Sequence, residues 1–451
     1  MASVAYSFAC LTVLASLAAR AADGLALPRP EKRFGRMERE VIQQRRLNTS
    51  ALNTALAFEP YHDLATRTTA APGVQQPRQS NILFSPLGLA SALALLSRVS
   101  GSESRIQALE ALGLGANSTE RSVEATISAL TDLQHRLALQ EGGGGGAGVQ
   151  RAESDAGAGT EAGTGAAAGV GPGDAGNRAD VDDAAENKTK DQLRMWSDLH
   201  INGKSSLDYD SFLSRPQQTG PAAANTSFKT LMKDLEGSDK LELNNFVYFK
   251  GRQPFERRHT VPRSFQLNAT TSVEVAMMFR DDSSEAMMLY DTNCSATVVR
   301  LAQSERLASL LLLPKAELQP LEDCLSHSRM SFWLSNLKPG RAEILFPKFQ
   351  LRKSYSLEGL LRTAGVSSLF SDSADFSAIS AKKTLKLVKA RHEVKLEVEE
   401  TKSEDGGRPD IMLDFSVPPR ITFNRPFVFI IYDDVTGLVL LIGRMMDPTD
   451  V

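Results

Sequence analysis

Cysteine, histidine and aromatic residues are scarce in this chain, and neither sign of charge is in excess. The 451 residues include three Cys, six His and 6% aromatic residues, and 51 basic residues face 54 acidic ones. So few Cys exclude a disulfide-dense scaffold, and a balanced charge gives no basis for binding nucleic acid. The length is ample for one large hydrophobic core.

A long apolar run is missing everywhere except at the N-terminus. No segment beyond it reaches the roughly 18 apolar residues that a membrane-spanning helix needs. The N-terminal run extends from Phe8 to Ala19 and overlaps the small-x-small sequence Ala19-Arg20-Ala21, a pattern typical of a secretory signal, with a short buried helix as the alternative. We therefore expect a signal peptide at 1–22 and a secreted, extracellular product without a membrane partner.

Catalytic and ligand-binding motifs are also missing. The His residues have no zinc-ligand spacing, the five-Gly run at 142–146 lacks the Lys-Ser/Thr of a phosphate-binding loop, and Gly-x-Ser-x-Gly does not occur. The sequence therefore predicts no enzyme, no metal site and no cofactor. His392 lies in a strand-like stretch, and we interpret it as a packed or capping residue rather than a catalytic one.

The cysteines leave two structural alternatives open. Cys10 lies in the expected signal, so only Cys294 and Cys324 remain in the mature chain. They can pair in an oxidising compartment. Two separate buried thiols are equally compatible with the sequence, because spacing alone does not bring two Cys together.

Asparagine sequons agree with a secreted chain, because Asn-x-Ser/Thr marks acceptor sites for glycans on surface loops. The six sequons begin at Asn48, Asn117, Asn187, Asn225, Asn268 and Asn293. We expect glycans at Asn48, Asn117 and Asn187, since Asn268 and Asn293 lie beside strand-like segments where a glycan has little room.

Composition distinguishes two segments from a single large domain at 81–451. Residues 23–80 are rich in Pro, Arg, Gln and Thr without sustained periodicity, which predicts a flexible N-terminal extension with one helix near Glu38–Ala57. Residues 141–190 contain almost nothing bulky, so burial cannot offset their ordering entropy and we expect a disordered Gly/Ala-rich insertion. The insertion falls between a helix and a strand, and it therefore interrupts one domain rather than separating two.

Hydrophobic periodicity within the domain predicts both helices and strands. The predicted helices are Leu83–Ser97, Ser104–Leu112, Val123–Leu139 and Phe228–Leu235. The predicted strands are Leu193–Asn202, Leu241–Lys250, Leu307–Leu313, Ala342–Phe349 and Phe427–Ile442, the last divided by a turn at Asp433–Gly437.

A series of short motifs runs through the domain in a characteristic order. The motifs are Asn81–Pro86 (NILFSP), Leu243–Gly251 (LNNFVYFKG), Val275–Met278 (VAMM), Phe346–Phe349 (FPKF), Ala374–Ser377 (ADFS), Asn424–Phe427 (NRPF) and Asp447-Pro448. Together they resemble the serpin family, and within it the antitrypsin-like extracellular group, over roughly Asn81 to Pro448. The resemblance implies the α+β class and a serpin fold with three β-sheets, about eight to nine helices and an exposed reactive-centre loop.

Residues Val394 to Arg425 contain that loop. Val394, Leu396 and Val398 alternate with charged residues as in a half-buried strand, and a polar Gly/Pro-containing segment follows. The resemblance implies that a protease cleaves this segment and that its N-terminal part then inserts as a new strand into the central sheet. Alignment of the residues that follow the cleaved bond places the reactive-centre bond between Phe415 and Ser416.

The segment that would insert first has an unsuitable composition. Counting back from Phe415 puts Glu399 at the family's acidic hinge position. The hinge then comprises Glu399, Glu400, Thr401, Lys402, Ser403 and Glu404. The family requires small, uncharged residues at alternate hinge positions, because these pass beneath a layer of helices.

Both insertion registers conflict with this requirement. One buries the charges of Lys402, Glu404 and Arg408, each at a cost on the order of several kcal/mol. The other buries Asp405 and places Pro409, which has no N–H to donate, inside a central strand. A penalty of ~3 kcal/mol in the barrier would slow insertion roughly a hundredfold.

We therefore expect a non-inhibitory or weakly inhibitory member of the carrier or hormone-precursor type. The alternative is an extracellular serine-protease inhibitor with Phe415–Ser416 as its scissile bond. The expected partner is a chymotrypsin-like serine protease, with a processing protease or a small ligand as alternatives. A heparin site is not expected, since the stretch Ala129–Gln140 offers only His135 and Arg136 as cations, and the chain is expected to be a monomer.

Overall fold

A computed structural model of the chain describes residues 47–69, 80–138, 192–208, 240–376, 385–401 and 418–450, apart from 116, 202–204, 257–258, 282–285 and 305. The described residues belong to one unit that begins at Leu47. The expected signal peptide, the expected insertion at 141–190 and the predicted helix Phe228–Leu235 lie outside them.

The helices alternate with strands along the described chain. The helical segments are Thr49–Asn53 (α1), Thr54–Phe58 (a π-helical turn), Glu59–Thr69 (α2), Pro86–Val99 (α3), Ser102–Ala111 (α4), Glu120–Ala138 (α5), Gln319–Cys324 (α6), His327–Asn336 (α7), Leu357–Leu361 (α8) and Ser368–Phe370 (a 3-10 turn).

The strands form three sheets within the described ranges, which confirms the expected α+β class. They are Ile82–Phe84 (β1), Gln192–Ile201 (β2), Ser205–Asp208 (β3), Lys240–Glu256 (β4), Val261–Gln266 (β5), Ser272–Arg280 (β6), Ala286–Asp291 (β7), Ala296–Ala302 (β8), Leu307–Pro314 (β9), Lys338–Gly340 (β10), Glu343–Pro347 (β11), Phe349–Ser356 (β12), Lys386–Thr401 (β13), Arg420–Thr422 (β14), Phe427–Asp433 (β15) and Val439–Met445 (β16).

Each sheet has a distinct strand order. The central five-stranded sheet is ordered β12-β13-β4-β2-β3, and β13 and β4 run parallel within it. A four-stranded sheet is ordered β14-β11-β6-β5, and a seven-stranded sheet is ordered β1-β16-β15-β9-β8-β7-β10. The seven-stranded sheet holds much of the core, because every residue of β9, β15 and β16 is buried, as expected for nearly continuous apolar runs.

Helix α3 starts later than its sequence pattern predicts. Ile82–Phe84 pairs with β16 as a short strand, and the helix begins only at Pro86. Ser85 caps it, since the Ser85 hydroxyl oxygen accepts a hydrogen bond from the Gly88 N–H at 3.0 Å, and proline at the first helical position needs no donor. The helix is buried on nearly all sides, in agreement with its Ala/Leu-rich composition.

The predicted flexible extension at 23–80 is wrong for residues 47–69. This segment is helical from Thr49 to Thr69, whereas the predicted helix ended at Ala57. Its apolar side chains recur at helical spacing and pack into the core. The fully or almost fully buried ones are Leu52, Leu56, Ala57, Phe58, Tyr61 and Ala65.

Cys294 and Cys324 form a disulfide bond, which decides between the two alternatives that the sequence left open. Their Cα atoms lie 5.8 Å apart. The bond connects the turn between β7 and β8 to the end of α6, and both partners pack against or within the core. The pairing depends on the fold bringing together two positions separated by 30 residues.

Candidate functional site

The segment predicted to contain the reactive-centre bond connects two different sheets. Strand β13 of the central sheet ends at Thr401, and the chain re-enters the described structure at Pro418. It then forms β14, which pairs in parallel with β11 of the four-stranded sheet. The hinge residues Lys402, Ser403 and Glu404 lie outside the described residues, and so do Phe415 and Ser416.

Three of the six predicted hinge residues are strand residues rather than loop residues. Glu399, Glu400 and Thr401 are the last residues of β13, and each is paired with a residue of β4. The register shifts between Glu400 and Thr401, so the ladder becomes irregular where the strand ends. The predicted strand Val394–Val398 therefore continues three residues further than its alternating pattern indicated.

The acidic residue that points inward at this end of β13 is Glu400, whereas counting from Phe415 had assigned the acidic hinge position to Glu399. Glu400 is only 7% exposed, and its carboxylate oxygen Oε2 lies 3.1 Å from the Nζ of Lys348. Glu399 occupies the opposite face of the sheet. Because successive side chains of a strand point to opposite faces, a shift of one residue decides which carboxylate is buried.

We call the boundary between β13 and β4 the seam; along it residues 386–401 pair in parallel with residues 240–256. On its inner face the paired residues include Val394 with Val247 and Leu396 with Phe249. All four are buried. A strand that enters the sheet between β13 and β4 must separate these pairs.

A hydrogen-bonded cluster crosses the seam on its inner face. The backbone N–H of Ser85 donates to Nε2 of His392 at 3.0 Å, so the ring proton resides on Nδ1. Nδ1 then donates to Oδ1 of Asn245 at 2.6 Å, and the Asn245 amide donates to the Ser197 hydroxyl at 2.7 Å. The cluster therefore connects β13, β4, β2 and the start of α3.

Burial sets the protonation state of this cluster. His392 is fully buried, and burial lowers its pKa from 6.5 to about 3. The neutral ring fits its two hydrogen bonds, since one nitrogen accepts and the other donates. His392 is therefore a packed residue of the sheet interior, in agreement with the interpretation of its strand-like surroundings.

The contact between α3 and the seam is unusually close at Gly88. A Cβ at this position would lie 2.8 Å from a Val247 methyl carbon, 2.9 Å from Oδ1 of Asn245 and 3.0 Å from the His392 ring. No side chain larger than hydrogen fits there without displacing the cluster. Glycine therefore permits the helix to rest directly on the seam.

An ion-pair network crosses the seam on its outer face. The Nζ of Lys250 in β4 lies 3.1 Å from Glu399 and 3.8 Å from Glu397, both in β13. Glu397 also accepts a hydrogen bond from the Tyr248 hydroxyl at 3.0 Å, and its other oxygen lies 2.6 Å from the Nζ of Lys395. Lys250 thus joins the two strands that an inserting segment would have to part.

The outer network changes two acid–base equilibria. Burial would raise the pKa of Glu397, but hydrogen bonds from Lys395 and Tyr248 and the nearby positive charges outweigh it, so the pKa lies below its ordinary value. Burial and the bond to Glu397 raise the pKa of Tyr248 to about 12. Glu397 is therefore ionised and Tyr248 is neutral at physiological pH, as the network requires.

The structure describes four of the six sequon asparagines, and all four are exposed. Asn48 and Asn117 are exposed, and Asn187 lies outside the described residues. The reason for setting aside Asn268 and Asn293 is wrong, because both are exposed on turns between strands. Flanking strands leave a turn residue free to point outward.

Sequence reasoning missed the residues that cross the seam. The motifs at Asn81–Pro86 and Leu243–Gly251 contain Ser85, Asn245 and Lys250, but nothing in the local pattern assigns them to one cluster. An Asn-Asn pair inside a strand was a usable signal, because a buried amide needs a partner.

Within the described ranges, no helix combines the length and apolar content that crossing a membrane would require.

Comparison with known proteins identifies similarities over most of the chain. A family model described as Serpin (serine protease inhibitor) matches residues 221–448. The chain is 29% identical over 399 residues to the alpha-1-antiproteinase of Callosciurus caniceps, and the alignment covers 87% of both chains. The antiproteinase of Ovis aries is 28% identical over 408 residues, with 87% of this chain and 86% of the relative covered.

Solved structures reproduce the same arrangement of sheets and helices. The crystal structure of mouse protein Z-dependent protease inhibitor is similar with a TM-score of 0.62 and 22% identity, covering 91% of this chain and all of that one. Human thyroxine-binding globulin, solved in complex with thyroxine, has a TM-score of 0.61 and 21% identity over 90% of this chain. At this identity the structural likeness concerns the fold alone.

Proposed function

The chain belongs to the serpin family, and from that premise we propose that it is a secreted member of the carrier or hormone-precursor type, non-inhibitory or weakly inhibitory. In this proposal the loop between β13 and β14 is a substrate for proteases rather than a trap for them. Cleavage after Phe415 would leave the loop outside the central sheet. The protein would act through what it binds or releases, without catalysis.

One observation carries the proposal, namely the composition of residues 402–409, which directly follow β13. This run has charged residues at Lys402, Glu404, Asp405 and Arg408, and a proline at 409. If the even-numbered residues of this run point inward, three charged side chains enter the sheet interior. If the odd-numbered residues point inward, Asp405 and the proline enter it instead. Such a segment inserts slowly compared with hydrolysis of the acyl-enzyme, so the protease escapes.

The seam adds to this resistance. Neighbouring strands lie about 4.8 Å apart, so an inserted strand roughly doubles the distance between β13 and β4. The bond between His392 and Asn245 at 2.6 Å and the contact between Lys250 and Glu399 at 3.1 Å both span that boundary. Both must break during insertion, and charged residues of the loop offer no matching replacement on the inner face.

Within this type, we propose an angiotensinogen-like member. The similarity lies in the hinge, in the N-terminal segment and in the stretch Phe-Lys-Thr-Leu-Met-Lys-Asp-Leu at 228–235. A hormone string of the Val-Tyr-Ile-His-Pro-Phe kind does not occur in the sequence, and the nearest string, Glu59-Pro60-Tyr61-His62, has another order. That string also lies in α2, where Tyr61 is buried, so release of such a peptide from it is not part of the proposal.

Incubation with chymotrypsin tests the proposal directly. We expect cleavage after Phe415, full residual protease activity, and no complex that survives denaturing gel electrophoresis. The cleaved protein should melt within a few degrees of the intact protein, because no strand is added to the sheet. A covalent complex, together with a large rise in melting temperature after cleavage, would refute the proposal.

The second candidate is an extracellular serine-protease inhibitor with Phe415–Ser416 as its reactive bond. The names of the alpha-1-antiproteinase relatives favour it, since these relatives align over 87% of the chain. An aromatic residue at 415 suits the deep apolar pocket of a chymotrypsin-like protease. The same incubation distinguishes the two candidates, because only the inhibitor forms the stable complex.

A further inference from the structure

The turn between β7 and β8 contains a glycosylation sequon whose middle residue is half of the disulfide. The sequon is Asn293-Cys294-Ser295. Asn293 is exposed, whereas Cys294 is 1% exposed and bonded to Cys324. From this juxtaposition we propose that Asn293 is an N-glycosylation site whose occupancy is set by competition between glycan transfer and closure of the Cys294–Cys324 bond. The inference rests only on the secretion part of the proposed function.

The folded turn has room for a glycan once it is attached. The Asn293 side chain lies at the tip of a hairpin and is exposed, so a carbohydrate on its amide nitrogen extends into solvent. The buried neighbour Cys294 points in the opposite direction, toward the core and α6. Glycosylation and the final fold are therefore compatible, and only the order of events is in question.

The same turn is too firmly held to serve as an acceptor after folding. The backbone N–H of Asn293 donates to Oδ1 of Asp291 at 3.0 Å. Asp291 is itself held by the Trp333 indole N–H at 2.6 Å and by an ion pair with Arg329, both from α7. A transferase must bend an acceptor segment into its own active site, and here that movement would break bonds to a buried carboxylate.

The far side of the sequon is held as well. Ser295 has a φ of +46°, in the left-handed region that non-glycine residues rarely adopt. Its carbonyl oxygen accepts a hydrogen bond from the Lys315 N–H at 2.8 Å. Between these two anchored residues, the Cys294 sulfur is bonded to Cys324 and accepts a hydrogen bond from Nε of Arg329 at 3.1 Å. Closure of the disulfide therefore ends the period in which the sequon can be reshaped.

The two competing steps have distinct chemistry. In glycan transfer, Nδ2 of Asn293 forms a bond to the anomeric carbon of an oligosaccharide carried on a polyisoprenyl pyrophosphate. The bond from that carbon to the pyrophosphate oxygen breaks, the pyrophosphate leaves with the electron pair, and a base takes one amide proton. In disulfide formation, the thiols of Cys294 and Cys324 transfer two electrons and two protons to a disulfide-form oxidant of the secretory compartment.

Glycan transfer to Asn293 and closure of the disulfide occur on similar timescales. The partner thiol, Cys324, follows Cys294 by 30 residues. It is therefore synthesised about 2–6 s later, at roughly 5–20 residues per second. Disulfide formation then takes seconds or longer. Glycan transfer to Asn293 must occur within this interval, so partial occupancy is expected in the wild-type protein.

The test compares glycan occupancy in the full-length wild-type protein and in Cys324→Ser, both expressed in secretory cells. Enzymatic deglycosylation in heavy-oxygen water followed by peptide mass spectrometry measures occupancy at each sequon in the cells and in the medium together. Cys324→Ser removes the competing bond but leaves the sequon intact, whereas a change at Cys294 would alter the sequon itself. We expect occupancy at Asn293 to rise severalfold in the variant.

Asn268 provides the matched control, because it lies in the turn between β5 and β6 and its sequon contains no Cys. A general delay in folding would raise occupancy at Asn268 and Asn293 alike, whereas the proposed competition raises Asn293 alone. A brief pulse of dithiothreitol on cells expressing the wild-type protein should have the same selective effect without any mutation. Equal occupancy at Asn293 in both proteins, a parallel rise at both sites, or an unmodified Asn293 in both would overturn the inference.

Discussion

His392 links the protonation of one side chain to the stability of the central sheet. Its folded-state pKa of about 3 lies below the ordinary value of 6.5, because burial removes the water that would solvate a charged ring. Between these two values the unfolded chain binds a proton that the folded chain does not. The stabilisation is therefore complete above pH 6.5 and is lost progressively as the pH falls toward 3.

The first prediction follows from this linkage. Between pH 7 and pH 5 the wild-type protein should lose about 2 kcal/mol of unfolding free energy through His392 alone, since each pH unit below 6.5 corresponds to about 1.4 kcal/mol. His392→Gln keeps a buried donor and acceptor but cannot titrate, so its stability should depend less on pH. Urea unfolding of both proteins at the two pH values measures the difference, and identical pH dependence would contradict the assignment.

A buried cluster around Glu322 connects α2, near the start of the described chain, to β16, near its end. Arg444 and Glu322 are both almost completely buried, and Nη1 of Arg444 lies 2.9 Å from Oε1 of Glu322. The same oxygen accepts a hydrogen bond from the Tyr61 hydroxyl at 2.8 Å. A buried charge that loses its partner remains in a medium that solvates it poorly.

Arg444→Met should therefore lower the unfolding free energy by about 3–5 kcal/mol, because it leaves the Glu322 carboxylate without its counter-ion. Tyr61→Phe is the matched control, since it removes one hydrogen bond to the same carboxylate and should cost about 1 kcal/mol. Denaturant unfolding at pH 7 checks both. Equal losses in the two variants would mean that Arg444 does not neutralise Glu322.

At the scale of elements, the segment Thr49–Thr69 belongs to the folded body although its composition suggested a flexible extension. Pro, Arg, Gln and Thr are frequent in residues 23–80 as a whole, and averaging over that length hid the apolar spacing of α2, beyond the predicted helix end at Ala57. The helices are stable only because their apolar face is covered by the core. Burial, and not local propensity, decided this element.

Truncation tests where the folded body begins. A mature protein that starts at Leu47 should melt like the wild type, whereas one that starts at Ser80 should fail to fold. The second loses Leu52, Leu56 and Phe58 from the core, at about 1.5–3 kcal/mol for each large side chain, a large fraction of the usual 5–15 kcal/mol of domain stability. Far-UV circular dichroism during heating measures both, and similar melting of the two proteins would exclude a structural role for the helices.

Local sequence patterns predicted strand β13 correctly but misplaced its C-terminal end. Alternation of Val394, Leu396 and Val398 with charged residues predicted the strand correctly, and the structure extends it to Thr401. The boundary was misplaced because Glu399 and Glu400 have the polarity of loop residues. Pairing with β4 and an ion pair with Lys348 accommodate them in the strand.

At the scale of the whole molecule, insertion depends on the balance between the loop and the seam. A new strand gains main-chain hydrogen bonds on both sides, and it loses the contacts that cross the seam in the closed sheet. Surface ion pairs such as Lys250 with Glu399 contribute at most about 1 kcal/mol each. Burial of hinge charges costs more than the loss of such pairs, so the loop composition should dominate the outcome.

Replacement of the hinge charges tests this balance. The combined variant Lys402→Ala, Glu404→Ala, Arg408→Ala should insert after cleavage, and its cleaved form should melt well above its intact form. The matched control, Asp410→Ala with Asp414→Ala, also removes loop charges but lies closer to Phe415 and should behave like the wild type. Differential scanning calorimetry before and after chymotrypsin treatment measures the change. If the hinge variant melts at the same temperature in both forms, the seam rather than the loop blocks insertion.

The sequence alone determined the family resemblance, the α+β class, most of the strands and the unsuitable composition of residues 402–409. Each of these follows from local features, since side-chain alternation and motif order are written in neighbouring residues. The tertiary structure alone decided the Cys294–Cys324 bond, the exposure of Asn293, the docking of Thr49–Thr69, and the clusters that cross the seam. These depend on residues far apart in the chain, such as Ser85 and His392, whose meeting is set by how the sheets and helices pack together.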